Sequence, residues 1–346
     1  MTDPTRIQAV LTIVPIINMD KYTKNSYISR SKKRNVENKI EVEEEKKLYP
    51  MRLVPQDSPE TGARYHLADL GFADTLVENG WLASNPLSEL METYLDRLVG
   101  ENAFQDFGTQ FPVSVKTMEV KARTPLRVNV PDDIARQRYD AFGKTALWYI
   151  LSADPDATLY LGFSREVEAE DFYRRCLAGK VDDVLHAVHP KAGQTYLIPP
   201  CTVYAAGPGL KILEVSEASE LALRIYDPGH DDELEEAFDF IDFRPWKEPE
   251  AVPGTKVFGA ETLAVQEQFR VVKLQLAEPL RISSEGQDRY TIYHCLQGAA
   301  SVQLRDENRP AETVMLQAGQ TVLVPAEVDE FYLVPEAPGT VLLEIQ

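Results

Sequence analysis

The chain has 346 residues and a formal net charge of −19 at neutral pH. That length suffices for two domains, each able to bury a core without disulfides, and the acidic balance argues against nonspecific nucleic-acid binding, because phosphates would be repelled. Three cysteines, Cys176, Cys201 and Cys295, are odd in number and lack metal-type spacing, which fits a reducing, cytoplasmic compartment, and no apolar run approaches the ~18 residues needed to span a bilayer.

Residues 1–47 read as a tail. The first 50 residues are net +3 and the remainder is −22. The basic stretch Ser29 to Arg34, followed by acidic Glu41 to Glu45, reads as a flexible or helical appendage; the other open reading is a misplaced start, with structure beginning near Leu48. Ala9 to Ile17 imitates a short signal-peptide core, but Pro15 interrupts it, no cleavage site follows, and Asp20, Lys21 and Lys24 come at once. We therefore expect neither a leader nor a membrane partner.

Further along, Leu87, Leu90, Met91, Leu95, Leu98 and Val99 recur at helical spacing, which predicts one amphipathic helix from Pro86 to Val99 that stops at Gly100. Strands are predicted over Val113 to Val120, Ala146 to Ser152, Thr158 to Gly162, Leu210 to Val215 and Leu221 to Tyr226, where β-formers alternate or cluster between turns. A second helix is expected from about Glu168 to Leu177, ending at Gly179. His186 and His189, three residues apart, would share a helical face, whereas His294 and Cys295 on a strand point to opposite faces and cannot chelate together. Asp132 and Asp133 read as turn or cap residues. The Pro- and Gly-rich stretch Pro249 to Gly254 is the expected seam between domains 48–248 and 249–346.

The most specific feature is a repeat. Ala192 to Pro200 reads Ala-Gly-Gln-Thr-Tyr-Leu-Ile-Pro-Pro, and Ala318 to Ala326 reads Ala-Gly-Gln-Thr-Val-Leu-Val-Pro-Ala. Each copy is a Gly turn opening a strand that a Pro ends, so two related β-domains follow. The Gly-to-Pro spacing resembles the second motif of cupin barrels, with Tyr204 and Glu330 where a metal ligand would stand. The expected fold is thus all-β, two cupin barrels with a small helical addition.

Four segments resemble, in order, the class I mannose-6-phosphate isomerases of short bacterial type. They are Phe111 to Lys116, Gly143 to Leu151, Pro199 to Gly209, and Leu213-Glu214 through Arg224 to Asp227. The resemblance covers about Leu48 to Gln346. It implies a zinc-dependent site in the first barrel and interconversion of mannose 6-phosphate with fructose 6-phosphate, in which a metal polarises oxygens while a base moves a proton between C1 and C2. The family's ligand positions are altered here. Asn129 replaces Gln, the following His is missing, Ala146 replaces Glu, and Tyr204 replaces His. No metal is therefore expected, since zinc needs three or four N, S or O ligands.

The resemblance leaves Arg224, Lys144, Lys116 and Glu214 as candidate substrate-binding residues, with Tyr204 beside them. Two uses of the cations stay open: gripping a phosphate or pairing with neighbouring carboxylates. Three functions follow. The first is a pseudoenzyme that binds a sugar or sugar phosphate without metal-dependent turnover. The second is an active isomerase, either with zinc on Asn129, Asp133 and Glu214 or by metal-free enolisation through Lys144 and Arg224. The third is a structural or partner-binding double cupin.

Overall fold

The computed structural model describes residues 46–59, 62–230, 233–248, 259–283, 288–305 and 312–346. The tail up to Glu45 and the expected seam at Pro249 to Gly254 lie outside the described residues.

The strands assemble antiparallel into four sheets. A six-stranded and a five-stranded sheet, both built from residues before 230, face each other as the N-terminal barrel. A seven-stranded and a four-stranded sheet form the C-terminal barrel. Its largest sheet also takes in Met51–Val54, which pairs with Thr321–Val324, and Leu76–Val77 at the edge. The chain thus starts its described part in the barrel that it finishes. One apolar cluster runs from Leu48 and Phe111 through Ile292 and Leu343, joining the two barrels. Among the described residues no helix is long and apolar enough to cross a membrane.

Both repeat copies form the turn their glycines predict. Gly193 and Gly319 have φ of +86° and +83°, a conformation open mainly to glycine. Their N–H groups donate to Ile150 O and Cys295 O, each at 2.8 Å. The Gln after each glycine closes the loop identically: Gln194 Oε1 accepts from Lys191 N–H at 2.7 Å, and Gln320 Oε1 from Gln317 N–H at 2.8 Å.

The helices depart from expectation in two places. The predicted Pro86–Val99 helix is two, Leu87–Tyr94 and Asp96–Val99, broken at Leu95 with φ +50°. The break turns the last carbonyls outward: Arg97 O and Leu98 O accept the N–H groups of Glu327 and Ala326, each at 3.0 Å, just after the second repeat. Gly100 does not end the helical region, since Glu101–Phe107 follows it. Its glycine is required instead by a neighbour, because a Cβ there would stand 2.5 Å from Asp288 O. The second departure is the helix Asp132–Tyr139, where Asp132 and Asp133 read as turn or cap residues and no helix was predicted. Pro131 precedes it, Asp132 and Asp133 occupy its first turn, and Arg136 and Arg138 its last, an arrangement that complements the helix dipole. The helix Ala169–Ala178 ends on left-handed Gly179 as predicted. His186 lies in the strand Leu185–Val188 rather than a helix, so its spacing to His189 does not bring the two rings to one face.

Candidate functional site

Strand register builds the centre of the N-terminal barrel. In the six-stranded sheet Lys116 and Trp148 are the direct partners of Glu214 from either side, and Tyr65 and Tyr196 extend the same row. Directly opposed residues share a face, so this row projects as a unit. In the facing sheet the row is Leu161, Tyr204, Arg127 and Arg224. Between the sheets lies a cavity of about 340 Å³ lined by Lys116, Lys144, Trp148, Tyr204, Glu214 and Glu220, with Arg127 and Lys121 also on its wall.

Four charges meet there. Lys144 Nζ stands 3.0 Å from Glu214 Oε1 and 3.1 Å from Glu220 Oε2, and Lys116 Nζ stands 3.2 Å from Glu214 Oε1 and bonds Glu220 Oε1. Trp148 Nε1–H donates to the second oxygen of Glu214 at 2.6 Å. Lys116 also lies 5.4 Å from the Tyr65 ring centroid, a cation–π distance. Lys144 is delivered by Gly143, where a Cβ would collide with Asp132 N at 2.7 Å and Val130 O at 2.8 Å. The Lys144 N–H then donates to Val130 O at 3.0 Å, fixing where its side chain starts.

Burial alone would lower the ammonium of Lys144 and raise the carboxyl of Glu214. Their mutual attraction reverses both. Glu214 and Glu220 hold Lys144 well above the usual lysine range, and Lys116 and Lys144, with the indole N–H, hold Glu214 below the usual carboxylate range. Glu220 is likewise lowered by Lys144 and Lys116 against its burial. The tetrad is two plus and two minus, and so self-neutralised.

Tyr204 is buried and crosses Trp148 edge to face, centroids 5.5 Å apart. Its hydroxyl donates to Asn129 Oδ1 at 2.8 Å, a diagonal cross-strand contact. Burial pushes the phenol far up, so it stays protonated. The structure therefore brings Lys116, Lys144, Glu214 and Tyr204 together around one cavity. Arg224 it does not bring into the lining; that side chain is one-third exposed, with Nη1 4.0 Å from Asp227 Oδ2. The cavity residues that escaped the sequence include Arg127, Lys121, Trp148 and Glu220. For Arg127 the available sign was the strand alternation that places it on one face with Asn129.

The site does not suit a zinc ion. Ala146 has no donor atom, Asn129 Oδ1 already accepts from a protonated phenol, and Glu214 is bracketed by two ammonium groups. Asp133, offered above as a substitute ligand, is exposed on its helix and accepts from Ile134 N–H at 2.9 Å. Among the described residues no group of three or more His, Cys, Asp or Glu is placed to hold a metal.

The paired sheets and central cavity define the class of protein as a double-cupin barrel. The crystal structure of mannose 6-phosphate isomerase from Bacillus subtilis matches 86% of this chain and 100% of its own, with TM-score 0.73 at 19% identity. A phosphomannose isomerase variant from Salmonella typhimurium matches 86% and 99%, with TM-score 0.70 at 13% identity. In sequence, mannose-6-phosphate isomerase ManA of Bacillus subtilis is 29% identical over 171 residues, 49% of this chain and 52% of that protein. The mannose-6-phosphate isomerase of Streptococcus mutans is 29% identical over 153 residues, 44% of this chain and 46% of that protein. No protein-family model matches. The chain is similar to mannose-6-phosphate isomerases in fold and over part of its sequence, and it spans about half the length of the curated relatives it matches.

Proposed function

We propose that this protein is a mannose-6-phosphate isomerase homologue that binds a hexose phosphate in its N-terminal barrel without metal-dependent turnover. The observation that carries the reading is the buried tetrad. A lysine pair and two carboxylates lie under an indole and a phenol, where the family's ligand positions hold Asn129, Ala146 and Tyr204. Such a surface offers donors and acceptors to sugar hydroxyls and an aromatic wall to a sugar ring.

The chemistry of the tetrad speaks against metal-free enolisation. A general base or acid works best when its pKa lies near the operating pH. Glu214 is held ionised and Lys144 held protonated, each far from neutrality, so neither exchanges its proton readily. Arg224 stands outside the cavity lining.

A coupled assay of mannose 6-phosphate to fructose 6-phosphate conversion, on protein stripped by chelator and then resupplied with zinc, tests the catalytic half of the reading. No turnover is expected in either state, and turnover restored by zinc would refute it. Saturable thermal stabilisation by mannose 6-phosphate tests the binding half.

A further inference from the structure

The tetrad leaves a question about charge. Of the cations that the family resemblance points to, Arg224 stands outside the cavity lining, and Lys116 and Lys144 are both compensated by Glu214 and Glu220. A phosphate monoester entering the cavity meets no net positive charge from them.

Arg127 differs. It lies mid-strand in Leu126–Asn129, half-buried, on the cavity wall. Among the described residues its guanidinium enters no ion pair, although the chain carries 55 Asp and Glu against 36 Lys and Arg. Register sets it directly opposite Arg224 on one side and Tyr204 on the other. Like charges directly opposed across a strand pair destabilise a sheet. Lys121, exposed, lines the same cavity and also has no ion pair among the described residues. The wall thus keeps an unneutralised, locally unfavourable cation beside a neutralised floor. A bound anion would relieve that repulsion, and a guanidinium can grip phosphate through two parallel N–H bonds.

We propose that Arg127 is the anion anchor of the cavity, holding the phosphate of the ligand at the wall while the sugar hydroxyls reach the tetrad. The assignment rests on the hexose-phosphate reading above. Phosphate attached to a sugar and free phosphate share this chemistry, and the test separates them.

Isothermal titration calorimetry would compare wild type, R127Q and R127K with inorganic phosphate, mannose 6-phosphate and mannose. Wild type is expected to bind both anions. R127Q should weaken both by about tenfold or more and R127K by less, since a lysine keeps the charge and loses the bidentate grip. Mannose should respond to neither change. The melting midpoint of R127Q should equal or exceed that of wild type, because the like-charge pair is gone; weaker binding together with a lower midpoint would assign Arg127 a merely structural role and overturn the proposal. Unchanged anion binding in R127Q, or no anion binding by wild type, would also overturn it. The two readings fail differently. Mannose 6-phosphate binding that survives R127Q removes Arg127 and keeps the ligand class, whereas Arg127-dependent binding of inorganic phosphate without any of mannose 6-phosphate keeps the anchor and removes the ligand class.

Discussion

The two barrels share a turn but bury different chemistry. Among the described residues every buried side chain with a formal charge, Asp69, Lys116, Lys144, Glu214 and Glu217, lies before residue 230. The C-terminal barrel buries only hydroxyls and His294 among its polar groups. At the position matching Tyr204 it has Glu330, exposed and paired with Arg281 at 2.5 Å. The same nonapeptide turn therefore serves a barrel closed by apolar packing and one opened around charge. What distinguishes them is which residue the pleat turns inward a few positions after the turn, a choice that the backbone motif leaves free.

The sharpest break of that comparison is Glu214→Ala. It leaves Lys116 and Lys144, whose side chains are about 5% exposed or less, with Glu220 as the remaining carboxylate of the cluster, and removing one partner of a buried ion cluster costs about 3–5 kcal/mol. Denaturant unfolding should show the loss as a lowered midpoint. Glu330→Ala, at the surface of the other barrel, should leave the midpoint unchanged. Equal effects would mean that the tetrad is no more than a surface network.

Where the barrels meet, acid should separate them from their stable pairing. His66, from the N-terminal sheet, stacks edge to face on His294 of the C-terminal sheet at 4.8 Å. Burial lowers them to about 4 and about 3. Below pH 6.5 an unfolded chain protonates both and the native state does not, so stability is complete above 6.5 and falls with pH. Glu217 opposes this. Burial and Asp132 raise it to about 7, so its protonated form favours the native state on the way down. Two imidazoles against one carboxyl leave a net loss of about 2 kcal/mol between pH 6.5 and 5. In Glu217→Gln the same acidification should cost more, while stability at pH 8 rises by about 1–2 kcal/mol. A pH-independent midpoint between 8 and 5 in both proteins would refute the assignment.

These differences mark what could be read in advance. The repeat and the β-former clusters place the strands closely: Val113–Val120 matches its prediction, and Ala146–Ala153 and Leu210–Glu217 begin at theirs. Local pattern suffices there because side-chain alternation and turn glycines act within a few residues. The Leu95 break was hidden because the contacts that accompany it are distant in sequence: the N–H groups of Ala326 and Glu327 donate to the carbonyls that follow the break. The helix Asp132–Tyr139 was hidden by its polarity, although Pro131 and two acidic residues in its first turn did announce a start. In the site, Lys116, Lys144, Glu214 and Tyr204 were reachable through family resemblance. Arg127 and Glu220 were not, because their meaning comes from register and loop closure, which join residues far apart in the chain.

Glu220 supplies the smallest and most discriminating effect. Its carboxylate, one-quarter exposed on the loop before Ala222–Tyr226, bridges Lys116 and Lys144 as a bound anion would. An incoming phosphate feels that internal carboxylate as a like charge within the same cavity. Glu220→Gln removes the charge and keeps the shape, leaving Glu214 as sole counter-ion to two lysines. Mannose 6-phosphate should then bind about three- to tenfold more tightly, about 1 kcal/mol, with a lowered melting midpoint because the ammonium pair is less well neutralised. Calorimetric titration at two salt concentrations measures it, since the gain is electrostatic and shrinks as salt rises. Weaker binding would instead make Glu220 an acceptor for the sugar hydroxyls. The charged interior of the N-terminal barrel would then have been shaped around the ring of the ligand and not around its phosphate.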